Sequence, residues 1–214
     1  QEAIPYDTAR KATTAEGNFI YERTVGEGKT VAADPTANVV DVYFTLDEKG
    51  TDPENPDAPD NVPDKYQATV TYTATNGTVS IGKAVVTLFA EDGVTPAEGG
   101  TGHLADAQIP TAAPATGFDA TTEAWSAQKP TTSVEIKGDT AFAVSWQKGA
   151  YGYTVNYHYD ATVETVTGTG TFQEAIPYDT ARKATTAEGN FIYERTVGEG
   201  KTVAADPTAN VVDV

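Results

Sequence analysis

Four tyrosines stand at odd positions in one short run, Tyr151, Tyr153, Tyr157 and Tyr159. In an extended chain the odd positions share one sheet face. Tyrosine rings have an apolar face and a polar rim and can stack on sugars, so this run is a candidate glycan-binding face. The same spacing also describes a core stripe or a cross-strand aromatic ladder. Trp125 and Trp146 read as core anchors.

A second set of groups is acidic. Asp52, Glu54, Asp57, Asp60 and Asp64 crowd one Pro-rich stretch, and carboxylates are hard oxygen ligands suited to weak Ca²⁺ binding. The stretch has no EF-hand or glycine-turn spacing, so a solvated spacer is the plainer expectation. His103 and His158 each lack a Glu or second His at ligand spacing and are expected at the surface. Covalent crosslinking would need a Lys, an amide and an acid buried together. Lys83, Lys137 and Lys148, with Asn76 or Gln147 and Glu135, are the notional set. The chain has no Cys, which removes disulfides, thiolate catalysis and Cys-ligated metal together. No catalytic, cofactor-binding or metal residue is assigned, and the chain is not expected to be an enzyme.

Charge narrows the partners. The 214 residues carry 14 Lys+Arg against 31 Asp+Glu, a formal net charge of −17. Binding to phosphate backbones needs clustered basic residues, so nucleic acid is not an expected partner. The longest apolar run, Ala84 to Ala90, is too short to span a bilayer. With no Met anywhere, the sequence is expected to be a segment of a longer product.

The elements that must position these groups come from a repeat. Residues 1–42 and 173–214 are identical, letter for letter, at an offset of 172. Identity over such a length implies recent duplication or active homogenisation of copies. Ahead of the second copy, Tyr151–Tyr159 and Val163–Phe172 read as a hairpin around Asp160-Ala161-Thr162. Asp179 is placed to cap a short helix running to Ala184. Phe191–Thr196 and Val211–Val214 read as further strands, the latter continuing, by analogy with Val39–Leu46, through Tyr-Phe-Thr-Leu. Residues 149–214 thus form one domain lacking its last strand, and residues 1–46 the C-terminal part of another. Residues 47–64 hold seven acidic side chains against one Lys, with Pro53, Pro56 and Pro59 at every third place, and suggest an extended polyproline II linker. Residues 65–148 make a separate domain. Its strands are expected at Tyr66–Ala74, Lys83–Phe89, Ser133–Ile136 and Thr140–Trp146, with an Asn76-Gly77 turn and a helical turn at Leu104–Ile109 stopped by Pro110.

Tyr153-Thr154-Val155-Asn156-Tyr157-His158-Tyr159-Asp160, Gly170-Thr171-Phe172 and Ile176-Pro177-Tyr178 resemble the mucin-binding-protein (MucBP-like) repeats of Gram-positive surface proteins. Residues 65–148, with Gly117-Phe118, Trp125 and Gly138-Asp139-Thr140-Ala141-Phe142-Ala143-Val144, are similar to the internalin B-repeat type of β-grasp module. The resemblance implies a mainly β (α+β) chain of tandem β-grasp-like domains, each a mixed sheet with one short helix, arranged as an extended rod. It implies an extracellular, cell-surface location, with wall anchoring through a region outside this chain. The expected function is a structural stalk repeat of an adhesin or fibre. The alternatives are multivalent binding of mucin, host glycans or a host surface protein by the repeats, and a filament joined by strand complementation with neighbouring identical repeats.

Overall fold

The computed structural model describes residues 2–9, 12–14, 17–182, 185–186 and 189–214. The chain is mainly β, 41% strand against 8% helical, and its helical elements among the described residues are 3-10 turns of three residues each. The first copy of the repeat makes an antiparallel sheet of β1 (Ala12–Thr14), β2 (Gly17–Val25) and β3 (Asp41–Leu46), in that order. Tyr21 and Phe44 face each other across β2 and β3 edge to face at 6.4 Å. A register shift between Tyr21 and Arg23 leaves Glu22 as the extra residue of a bulge. Glu22 pairs with Lys65, whose hydrogen bond holds its carboxyl below the ordinary carboxylate range.

Two polar devices shape the turn before β3. Asp34 accepts from the Thr36 amide at 2.9 Å and so caps the 3-10 turn Pro35–Ala37, with proline in the position where a missing N–H costs nothing. Asn38 then clamps Ala32 from both sides, accepting from its amide at 2.7 Å and donating to its carbonyl at 2.9 Å. Both devices recur in the second copy at Asp206 and Asn210, with the same distances.

Residues 47–64 do not run extended. Asp47 is buried, and its carboxylate accepts from the Asp60 and Asn61 amides, both at 3.1 Å. Asp64 accepts from the Glu48 and Lys49 amides at 2.8 and 3.0 Å, and Asp60 takes the Thr51 amide and the Gln67 side chain. The stretch is therefore a closed loop whose acids brace its own backbone. A Cβ at Gly50 would collide with the Ala58 carbonyl on the opposite limb, so that position requires glycine. Proline at every third place does fit an extended helix, but it does not outweigh backbone donors that carboxylates can satisfy.

The central segment holds β4 (Gln67–Thr75), β5 (Gly77–Val79), β6 (Lys83–Thr87), β7 (Gly102–His103), β8 (Ala112–Pro114), β9 (Ala124–Trp125), β10 (Glu135–Ile136) and β11 (Thr140–Ser145). A four-stranded sheet has the order β6-β4-β11-β9, and β7 with β10 and β5 with β8 make two-stranded pairs. Alternation along β4 puts Ala68, Val70 and Tyr72 inside with Ala84, Val85, Val86, Leu104, Ile136 and Phe142. Tyr72 stacks on Phe142 at 5.9 Å and donates its hydroxyl to the Gln108 carbonyl at 2.8 Å; burial pushes this phenol up to about 12. Gln108 is itself buried and satisfied, donating to the carbonyls of Thr51 and Val85 and accepting from the Ala105 amide. The expected helical turn there is the 3-10 turn Asp106–Gln108. Asn76 takes the positive φ of 66° that the turn reading implies, and Gly77 is obligatory because a Cβ would strike Ala113 and the Trp146 ring. Trp146 is buried, whereas Trp125 is half-buried and donates to Glu123, so only the former anchors a core.

The last segment opens with the hairpin of β12 (Ala150–Tyr159) and β13 (Thr162–Thr171), followed by β14 (Thr185–Thr186), β15 (Gly189–Asn190) and β16 (Val211–Asp213). β16 lies parallel to β12, giving the order β13-β12-β16. The short helix expected from Asp179 is absent over the described residues. Asp179 accepts the Ala181 amide, at 2.8 Å, in a turn; Lys183 and Ala184 lie outside the described residues. Contacts divide the chain into two compact units. One comprises Gln1–Thr73, Val79–Thr111 and Ser126–Ala143; the other comprises Ala74–Thr78, Ala112–Trp125 and Val144–Val214. This division falls inside the segment 65–148 that the sequence suggests as one domain.

Candidate functional site

The tyrosine run forms as a strand, but its odd face is the inner one. Tyr157 and Tyr159 are each 6% exposed and pack with Val155, Ile176, Val203 and Val212, while Tyr151 and Tyr153 are half-buried against the same cluster. The glycan-stacking platform expected from Tyr151, Tyr153, Tyr157 and Tyr159 is therefore a core stripe. The physical reason is that Ile176 and Val203, from outside the sheet, pack with the rings, and Val212 of the adjacent β16 joins the same cluster. Tyr159 lies 5.4 Å from Phe191, and the guanidinium of Arg182 covers Tyr157 at 4.5 Å while pairing with Glu164.

The carboxyl end of this strand borders a cavity of about 590 Å³. Its walls include Tyr157, Tyr159, Arg182, Phe191, Tyr193 and Asp213. Tyr157 accepts from the Asp179 amide at 3.0 Å, and the buried Tyr159 hydroxyl has no partner among the described residues. The even positions of β12 carry the polar groups. Asp213 accepts from Asn156 at 3.1 Å and pairs with His158 at 3.0 Å, and the histidine contact foremost holds its carboxyl below the ordinary range. The sequence places His158 at the surface, and it is there; the pairing with Asp213 joins residues 55 apart and has no local signal.

The remaining candidates are dispersed. Asp52 accepts from the Glu54 amide, Asp57 pairs with Lys83, and Asp60 and Asp64 brace the loop. No group of three His, Asp or Glu side chains converges on a metal position among the described residues. His103 is exposed in β7. Lys137 pairs with Glu135 on the exposed side of the chain, and Asn76 donates to the Trp146 carbonyl at 3.1 Å. The notional crosslinking residues are thus not buried together.

No family model, no curated protein and no solved structure matches the chain. The resemblance to MucBP-like and internalin B-type repeats rests on the residues quoted above. No helix of the described residues is long and apolar enough to cross a membrane.

Proposed function

We propose that this chain is a structural stalk repeat of a cell-surface adhesin or fibre, which projects a binding tip away from the wall of a Gram-positive cell. The observation that carries this reading is the identical 42-residue segment that builds the same capped and clamped turn twice in one chain. A repeat whose polar side chains are spent on local bracing is suited to setting length by copy number. The net charge of −17 supports it further, since like charge resists bundling. In this reading the chain is not an enzyme, its neighbours are identical repeats, and its setting is extracellular on a longer protein.

The test is small-angle scattering on chains carrying one, two and three periods of 172 residues. A maximum dimension that grows in proportion to the period count is expected. A dimension that levels off as periods are added overturns the stalk.

Multivalent glycan binding is the second reading. Its support is the cavity beside Tyr159, whose buried hydroxyl has no partner among the described residues. A tetravalent display applied to mucin tests it, with Tyr159→Phe expected to lower binding at least tenfold. Equal binding by both proteins removes this cavity as the site.

A further inference from the structure

Asn76-Gly77 is the one Asn-Gly step in the sequence; the other seven Asn residues are followed by Phe, Val, Pro or Tyr. The side-chain amide of an asparagine is open to attack by the backbone nitrogen of the next residue. A following glycine has no Cβ and leaves that nitrogen unshielded, whereas rings and branched side chains crowd it. The sequence concentrates this chemistry at a single turn.

The fold both requires the pair and restrains it. Asn76 holds a φ of 66°, a conformation that asparagine accepts more readily than most residues. Gly77 lies so close to the Ala113 carbonyl and the Trp146 ring that a Cβ would come within 2.3 Å of each. Replacing the glycine would break the packing, so the labile step stays in the turn. Restraint comes from its neighbours. The Asn76 side-chain amide donates to the Trp146 carbonyl at 3.1 Å, and the Asn76 carbonyl accepts from the Ala115 amide at 2.8 Å. β5, which begins at Gly77, is paired with β8. Attack requires the Asn76 side chain to swing over the Gly77 nitrogen and the peptide plane between them to turn. Both are pinned while these bonds hold. Asn76 is exposed, so water and base reach it.

We propose that Asn76 is a self-modification site that the fold holds shut, converted to aspartate or isoaspartate only when its tether to Trp146 opens. In the step, hydroxide takes the Gly77 N–H proton and the nitrogen bonds to the Asn76 side-chain carbonyl carbon. The bond from that carbon to Nδ2 breaks, and ammonia leaves with a proton returned by water. Water then opens the five-membered imide. Opening at the backbone carbonyl leaves isoaspartate, with the chain running through the side chain; opening at the other carbonyl leaves aspartate. The sum is one water consumed and one ammonia released, with nothing oxidised or reduced. Either product puts a carboxylate where a donor faced the Trp146 carbonyl. Two acceptors share no hydrogen bond, so the tether does not re-form. The inference stands on Asn76 and its neighbours and does not rest on the stalk reading; scattering on longer arrays and the experiment below fail separately.

The experiment uses the full 214-residue chain at mildly alkaline pH, folded in buffer or unfolded in guanidinium chloride. Peptides containing residue 76 are followed over time by mass. Chemistry that needs an opened state is slowed by the rarity of that state. Conversion of amide to acid is therefore expected to run at least tenfold faster in the unfolded chain, with isoaspartate among the products. Equal rates overturn the tether as the restraint, and no conversion in the unfolded chain overturns the site. Asn76→Gly keeps a residue suited to the positive φ and is expected to abolish ammonia loss from this peptide; persistence there overturns the assignment to Asn76. The effect of the product is read from Asn76→Asp, whose urea midpoint is expected below that of the unmodified chain. An unchanged midpoint overturns the claim that the tether does not re-form.

Discussion

The two copies of residues 1–42 share their sequence, their turns and the short pairing of Glu2–Ile4 with Lys29–Val31, repeated as Glu174–Ile176 with Lys201–Val203, and differ in the strands around them. Much of what recurs is local. The Asp cap on Thr, the Asn clamp on Ala and the Lys29 or Lys201 ammonium on the Val39 or Val211 carbonyl are bonds within ten residues, and each appears twice. What changes is long-range. Gly17–Val25 is a nine-residue strand because Asp41–Leu46 pairs with it. In the second copy Val197 and Asp213 form a single bridge, Phe191–Thr196 forms no strand, and Ile192 is 90% exposed. Propensity alone did not make the strand; the neighbouring strand did.

The sharpest way to break this comparison is to place the same substitution in both copies. Val203→Asp buries a charge among Val155, Tyr157 and Val212, and is expected to cost about 4 kcal/mol or more. Val31→Asp is expected to stay within about 0.5 kcal/mol. Urea unfolding of the two variants decides, and equal losses would mean that the first copy is covered in solution. A smaller contrast separates the clamps. Asn210→Ala removes three hydrogen bonds at a fully buried site and is expected to cost about 2–3 kcal/mol, against about 1 kcal/mol for Asn38→Ala.

Extending the chain by Tyr-Phe-Thr-Leu after Val214 should convert the second copy toward the first. Hydrogen exchange at Ile192 and Tyr193 is expected to slow about tenfold or more once β16 can continue. Unchanged exchange would show that the strand in the first copy has another cause. The smallest effect concerns acid. The Asp34 and Asp206 carboxyls are lowered, first by the Thr36 and Thr208 hydroxyls, and Asp213 is lowered, first by His158. A carboxyl lowered in the folded state contributes stability that is present above its ordinary range and lost as pH falls through its folded value. Titration by NMR should therefore find Asp34 and Asp206 shifting alike when Thr36→Val and Thr208→Val are made together. His158→Ala should raise Asp213 alone.

Much of the strand content was legible in sequence. The alternation of Tyr151–Tyr159, the Asn76-Gly77 turn and the halt before Pro110 all place elements where they occur. The candidate site was legible in position but not in facing. Odd spacing puts four tyrosines on one side, yet which side is inner depends on Ile176 and Val203, which lie outside the strand and distant in sequence. The helix expected from Asp179 failed for a related reason. An aspartate that caps a helix and one that closes a turn both accept an amide two residues on, and here the turn ends there. The closure of residues 47–64 was illegible because proline spacing reports backbone preference, whereas Asp47, Asp60 and Asp64 act on amides that are distant in sequence.

That closed acidic loop has a consequence under load. Eighteen residues drawn fully straight would reach roughly 60 Å, but Asp47 and Asp64 hold the two limbs together, each through hydrogen bonds to two backbone amides. A pull applied along the chain loads those bonds before it can draw on the slack behind them. The loop is a reserve of contour length behind a polar latch, able to lengthen the chain abruptly while the strands on either side stay paired.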